Sequence, residues 1–575
     1  MEAGKRDITT VFNRARTLEI PFFQRSYVWK KENWERFADD LIAVSQRKEG
    51  YFLGSIILKQ KGTSSDAKVG DARLVIDGQQ RLTSLALFFR VLCDARKQAE
   101  LFGQVFFNLA GQVTLRHNRN DIEVFEAALG GTLNKVVRER AAGNLVLGAF
   151  DYFRSRAKEL AHLDPMDLIN HVYFVGIDLG QDEDEQQIFD TINSLGVDLT
   201  TAELLKNELF DRSDLHLFET TWLPAFETDE GRRQYWSMPV TAGRLRRQNI
   251  DLFLQSFLVT QPGVPDEMRV GALFSEYKKH LQQRVDDRAT FIRGLTAAGD
   301  TYRSAVDPES LNDPLDPSDA EGRMNLLVFG LQMTTVLPYF LHVMRTVGDA
   351  KERASMLRLV ESFVMRRLIA GETNKHYNRF FVQLARADVN TAAGLVRRLR
   401  EAEDPGAQLP SDDAVRRGFQ ETNLTNQQAR VVLYLIEASI RDEERHTTTL
   451  AGYPHYTLEH VMPKKWRNHW DSVPEDRVDL RNKTLRKLGN LTLLSSALNR
   501  EIRDSGWRQK KEGTKKRPGL MRYGTGLEIF DEDLKEEAWT EEQIVARGNR
   551  LASAAIGPRV WPLPEESLGT PTFRG

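Results

Sequence analysis

Over roughly the first 130 residues, short apolar runs at 51–58, 74–76 and 105–107 alternate with segments of helical spacing, a mixture that predicts an α+β domain. From 131 to 405 the apolar positions recur at three- and four-residue intervals, as in MNLLVFGLQMTTVLPYFL (324–341) and MLRLVESFVMRRLI (356–369), which predicts a helical middle. Two stretches rich in Pro and Asp, 306–322 and 403–413, interrupt this pattern, and the second is expected to mark a domain boundary. Residues 406–560 read as a third, more basic domain, and 561–575 as a disordered tail. The fold class is therefore multidomain α+β, mostly helical.

Composition narrows the picture only slightly. The 575 residues are 41% hydrophobic and 28% charged, enough for about three domains with their own cores. A net charge of -2 neither favours nor excludes a nucleic-acid partner, so charge has to be followed segment by segment. The opening stretch MEAGKRDITTVFNRAR is charged throughout, unlike a signal peptide, and no run of about 18 apolar residues is present to span a bilayer. A cytoplasmic protein with no membrane partner is the expectation. The single cysteine, Cys93, excludes an internal disulfide and a multi-thiolate zinc site, and its apolar helical setting predicts a buried structural thiol.

The segment VIDGQQRLTSL (75–85) sets a strand-like run against Asp77, Gly78, Gln79, Gln80 and Arg81 and then against a helical stripe of Leu82, Leu85, Phe89 and Leu92. Free N–H groups at a helix start, an Arg and a flexible Gly make a seat for phosphate; the plain alternative is a tight turn beside a surface Arg. No G-x-x-x-x-G-K-S/T occurs, which excludes a P-loop. Upstream, IPFFQRSYVW (20–29) gathers Phe22, Phe23, Tyr27 and Trp29 around Gln24 and Arg25. Such a segment is either an edge strand with core aromatics or a surface that stacks on bases.

These two segments, together with FLGSI (52–56), resemble the N-terminal domain of the GmrSD-type family of modification-dependent restriction proteins, which has a ParB/sulfiredoxin-like fold. The resemblance implies nucleotide hydrolysis, of GTP or another NTP, at Asp77, Gly78, Gln79, Gln80, Arg81 and Thr83. It also implies sensing of a DNA modification, such as phosphorothioate or modified cytosine, by Phe23, Gln24, Arg25, Tyr27 and Trp29. A further stretch, QQIFDTINSLGVDLTTAELLKN (186–207), reads locally as two helices joined at Gly196. It resembles a family element that borders the nucleotide site, which implies a supporting role for Asn193, although Leu195 stands where the family usually has a polar residue.

In the C-terminal part, YTLEHVMPKKW (456–466) is followed about thirty residues later by LGNLTLLSSALNR (488–500). Phosphodiester cleavage needs a base with a pKa near neutrality and a hard cation held through oxygen. Glu459, His460, Asn490 and Asn499 can supply both. The constellation resembles the HNH nuclease, a ββα-metal site, in the variant carried by this family. The resemblance implies His460 as general base, Glu459 and Asn499 as ligands of Mg²⁺ or Mn²⁺, and Asn490 as the residue fixing the loop that holds His460.

Between Lys464 and Arg517 there are 16 Lys or Arg against 7 Asp or Glu, an excess suited to the phosphates of DNA. Lys464, Lys465, Arg467 and Arg500 are the expected backbone contacts, while Trp466, Trp470 and Trp507 are stacking platforms or, more commonly, core. The resulting expectation is an antiphage DNA endonuclease, cutting or nicking, that is gated by nucleotide hydrolysis and by modification of foreign DNA. A DNA-binding regulator with an inactive nuclease and an HNH ribonuclease toxin remain the alternatives, and a homo-oligomer is compatible with the sequence.

Overall fold

The computed structural model describes residues 2–21, 24, 26–61, 71–118, 120–180, 201–210, 212–242, 245–268, 270–402, 404–442, 444, 449–495, 504–514, 519–521 and 527–564. The chain divides into two units, Met1–Thr220 and Thr221–Gly575. Mostly helical α+β architecture is what both together present. Among the described residues no helix is long and apolar enough to cross a membrane.

The first unit is built on a mixed sheet of β1 (Glu2–Asp7), β2 (Arg16–Glu19), β3 (Tyr51–Gln60), β4 (Asp71–Asp77), β5 (Leu115–Arg116) and β6 (Val172–Leu179), in the order β1-β6-β3-β4-β2-β5. β1 is antiparallel to β6 and β3 to β4, while the other neighbours run parallel. Its helices are α1 (Ile8–Val11), α2 (Lys31–Arg47), α3 (Gln79–Ala95), α4 (Ala99–Phe106), α5 (Ile122–Gly130), α6 (Lys135–Arg140), α7 (Leu145–Ser155), α8 (Ala157–Leu160) and α9 (Pro165–His171).

α3 is the centre of this unit. The expected stripe of Leu82, Leu85, Phe89 and Leu92 is buried, but so are Thr83, Ser84, Ala86, Leu87, Phe88, Val91 and Cys93, so the helix is enclosed on nearly every side. Phe88 meets Phe37 of α2 at 6.3 Å and Phe153 of α7 at 5.5 Å. Cys93 is fully buried, and burial pushes its thiol up to about 12, as suits a structural thiol.

Two expectations change here. The apolar run 105–107 is not a strand: Phe102 and Phe106 stack at 4.9 Å, one helical turn apart, and Val105 and Phe106 close α4. The division expected near residue 130 falls inside the first unit, because β6 lies between β1 and β3 and residues such as Val146, Phe153 and Leu168 belong to the same core as Leu82.

The second unit is organised on the helix Ala350–Ile369. Its Glu361 is fully buried, with both carboxylate oxygens in hydrogen bonds to Arg323 at 2.6 and 2.7 Å; Arg358 and the Trp561 indole also donate to it. Arg366 donates to the carbonyls of Pro410 and Trp561 and to Asp412, and Arg367 to the carbonyl of Gln408. The stretch 403–413 is thus fastened to this helix through its described residues, and the boundary expected there lies within the unit. The segment expected as a tail from 561 begins with a fully buried Trp561, and Pro564 accepts from Arg400; residues 565–575 lie outside the described residues. The run 324–341 is not one helix: it passes through a π turn at Leu326–Gly330 and a left-handed Gln332 (φ 58°) before Leu337–Thr346.

The C-terminal part of this unit holds a hairpin of β9 (Tyr456–His460) and β10 (Leu491–Ser495), packed with the helices Trp507–Glu512 and Glu541–Ala555. Trp466 and Trp507 are core residues here, which removes their stacking role, and Trp470 is partly buried against the same cluster. A separate hairpin pairs β7 (Pro239–Ala242) with β8 (Leu245–Gln248).

Gly78 joins β4 to α3 at φ 98°, and a Cβ there would stand 2.6 Å from Ile56 Cγ2. Gly78→Ala is therefore expected to destabilise the first unit by about 2 kcal/mol, from left-handed strain and overpacking, measurable by urea unfolding.

Candidate functional site

In the first unit, Gly78 starts α3 three residues earlier than the apolar stripe implies, so Gln79, Gln80 and Arg81 form its first turn. No side chain caps that turn. Arg81 Nη1 donates to the Ser55 carbonyl at 2.6 Å and lies 3.7 Å from Asp77, and Gly54 (φ 124°) leaves room for the guanidinium to cross β3. Gln80 Oε1 accepts from the backbone of Val28 at 2.9 Å and of Trp29 at 3.4 Å. Gln24 Nε2 donates to the Val75 carbonyl at 3.2 Å. Gln80 therefore ties residues 28–29 directly to the Asp77–Arg81 signature, and Gln24 ties the same stretch to β4.

Tyr27 is buried, its hydroxyl 2.6 Å from Ser84 Oγ, and Trp29 packs on the core beside Phe37 at 5.7 Å. Tyr27 thus lies inside the unit, whereas Trp29 is only partly buried against its core. Phe23, Arg25 and Asn193 lie outside the described residues. Gln24 Oε1 and Gln79 Oε1 are each buried acceptors without a hydrogen-bond partner among the described residues.

The sequence reading missed the support beneath this turn. Thr83 donates to the Gln79 carbonyl at 2.7 Å and lies 2.9 Å from His117 Nε2, while His117 Nδ1 accepts from the Asn118 amide. This pattern fixes the neutral tautomer protonated on Nε2. Burial holds His117 down at about 4, against the opposing pull of Asp121. Asp121 in turn accepts from the Tyr27 amide, Asn118 and Asn144. The polar cluster HNRND at 117–121, directly after a strand, was the available signal.

In the second unit, β9 and β10 pair with His460 opposite Leu491 and Glu459 opposite Thr492. The chain leaves the ladder after His460, and Asn490 catches it. Asn490 Oδ1 accepts from the Met462 amide at 2.8 Å and from Trp539 Nε1 at 3.1 Å; its Nδ2 donates to the carbonyls of Met462 and Leu485. All four bonds of the amide are made, which leaves it no capacity for substrate and makes it a positioning residue.

Gly489 is required because a Cβ would stand 2.0 Å from the Ile544 carbonyl of the helix Glu541–Ala555. From that helix, fully buried Arg547 donates to the carbonyls of Leu488, Gly489 and Leu491 and pairs with Asp533 at 2.7 Å. Neither Arg547 nor Asp533 belongs to a motif.

Burial lowers His460 to about 4, assisted by the charges of Lys464 and Lys510, so the imidazole is neutral at physiological pH. Burial raises Glu459, and Lys510 opposes that rise. Lys510, a second residue the sequence reading missed, is fully buried with its Nζ 2.5 Å from Glu459 Oε1 and 2.9 Å from the His460 carbonyl. Lys464, Lys465 and Arg467 are exposed directly after His460, as a phosphate-facing surface requires. Asn499 and Arg500 lie outside the described residues. Among the described residues no group of three or more His, Cys, Asp or Glu stands ready for a metal. The hard oxygen donors of Glu459 suit Mg²⁺ or Mn²⁺ in kind.

Residues 8–210 match the family described as GmrSD restriction endonuclease, N-terminal domain, and residues 409–554 match GmrSD restriction endonucleases, C-terminal domain. The chain belongs to the GmrSD-type restriction endonuclease family. As a GmrSD-type restriction endonuclease it acts on DNA, and the two matches contain both clusters described above. No curated protein matches the chain.

Removing the Asn490 amide leaves buried partners unsatisfied. Asn490→Ala is expected to cost about 2–4 kcal/mol in urea unfolding of this GmrSD-type protein and to abolish DNA cleavage in a gel assay. His117 is neutral in the fold, so its contribution is complete above 6.5 and is lost as pH falls towards about 4. His117→Gln should remove this acid lability, on the order of 3 kcal/mol, when urea unfolding at pH 7 and pH 4.5 is compared with the unsubstituted chain.

Proposed function

We propose that this GmrSD-type protein is a modification-dependent endonuclease in which the hairpin of β9 and β10 cleaves DNA and nucleotide hydrolysis in the first unit controls it. The observation that carries the proposal is the neutral His460 beside Glu459, held by Asn490 at the end of β9 and followed by exposed Lys464, Lys465 and Arg467. His460 takes a proton from the water that adds to phosphorus, the P–O bond to the leaving oxygen breaks, and that oxygen is protonated from solvent. Glu459 and Asn499 are the residues that would hold Mg²⁺ or Mn²⁺, which when bound neutralises charge on the phosphate. The lysines and Arg467 hold the backbone without reading sequence.

The first turn of α3 and Arg81 are suited to the phosphates of GTP or another NTP, with Gln24 and Gln79 offering acceptors and Asn193 in support. Gln80 supports gating. Its bonds to Val28 and Trp29 join the first turn of α3 to the segment assigned to modification sensing, which is the route such control would take. Control by phosphorothioate or modified cytosine in foreign DNA is the corresponding antiphage role.

His460→Ala is expected to abolish cleavage of plasmid DNA in Mg²⁺ or Mn²⁺ while NTP hydrolysis persists. One plasmid prepared unmodified, phosphorothioated and cytosine-modified, with and without GTP, measures the rest. Cleavage that follows one modification and responds to GTP fits the proposal; cleavage of all three alike without nucleotide would remove both controls.

A further inference from the structure

Lys510 has none of the properties of a DNA-binding lysine. Its side chain is fully buried, and the helix Trp507–Glu512 that carries it is anchored by Trp507, packed on Trp539 at 5.2 Å. The Leu520 amide bonds its carbonyl at 2.8 Å. The ammonium reaches inward to the Glu459 carboxylate and to the carbonyl of His460, touching the two neighbouring groups on which cleavage is proposed to depend.

Glu459 is paired directly with an internal ammonium. Asp504 is the second carboxylate acting on Glu459 and Lys510, and Lys464 is the second ammonium acting on His460. A divalent cation approaching Glu459 therefore meets a carboxylate already neutralised by an internal cation at close range. The interaction of like charges at such distance in a partly buried site is strong. A further negative group is needed to draw the metal in, and the phosphate of DNA is such a group.

We propose that Lys510 is a built-in counter-cation that positions Glu459 and keeps metal affinity low until a DNA phosphate completes the site. The inference rests on the assignment of Glu459 as a metal ligand. Metal and DNA then bind cooperatively, and each raises the affinity for the other by the same factor. The free protein carries little divalent metal, and Lys510 acts through Glu459 without touching substrate.

The test uses the full chain with His460→Ala, so that DNA stays intact, and reads bound Mn²⁺ by electron paramagnetic resonance with and without duplex DNA, after subtraction of binding to DNA alone. DNA is expected to tighten Mn²⁺ binding about tenfold, and Lys510→Met to tighten it about tenfold without DNA while shrinking the effect of DNA. Lys510→Arg should retain the DNA dependence. If Lys510→Met binds Mn²⁺ no more tightly in a protein of unchanged melting temperature, the counter-cation role is overturned. Should the Met variant not fold, Mn²⁺ binding that is indifferent to DNA in the His460→Ala protein overturns it equally. Glu459→Gln separates the premise: persistence of Mn²⁺ binding in that variant means that Glu459 is not a ligand.

Discussion

The Asn490 side chain closes a gap between two pieces of chain that share no regular ladder: the turn Leu488–Asn490 and the bend that follows His460. Its four hydrogen bonds reach Met462 twice, Leu485 and Trp539, so one neutral amide fixes where β9 ends and hence where the imidazole begins. The turn is itself immobilised from below, where Arg547 gathers three carbonyls and Gly489 lets the helix Glu541–Ala555 approach to backbone contact. Neutral bonding suits this place, because an amide satisfies buried backbone groups without the desolvation cost of an ion.

A similar device serves the first unit. Gln80 bonds two backbone amides of the segment at 28–29, and Gln24 returns a bond to Val75 of β4. Beneath them, neutral His117 passes a hydrogen bond to Thr83 and Thr83 to the Gln79 carbonyl, so uncharged groups support the first turn of α3 from below while Arg81 anchors it to Ser55. Charge is kept for positions where something has to be balanced: Glu361 among arginines, and Glu459 against Lys510.

Much of this was legible where neighbours in space are neighbours in sequence. The strand-turn-helix at Gly78 and the helix 356–369 announce themselves in stretches of a dozen residues or so, whereas the Glu-His strand and the Gly-Asn turn, some thirty residues apart, were joined only through the family resemblance. What escaped was set by distant partners. β6 looks like any apolar run until it enters the sheet between β1 and β3. Lys510 reads as one more positive charge in a basic region, and only its 51-residue reach to Glu459 distinguishes it from its neighbour Lys511, whose ammonium bonds the Glu536 carbonyl. Arg481 likewise counts towards the basic excess but is buried against Glu541. Tyr27 fits a stacking surface by composition, yet burial beside Ser84 makes it core, while Trp29 is partly buried against Phe37.

The contact between Glu361 and Trp561 spans 200 residues of sequence. A ribosome delivers the helix Ala350–Ile369, with its carboxylate and arginines, long before the indole and carbonyls that seal them. The hairpin of β9 and β10 is made in the interval. Long-range contacts of this kind form late, because the intervening chain must first be closed into a loop. Closure of this core thus waits for residue 561, and a chain stalled before it carries the hairpin of β9 and β10 on an unfinished scaffold.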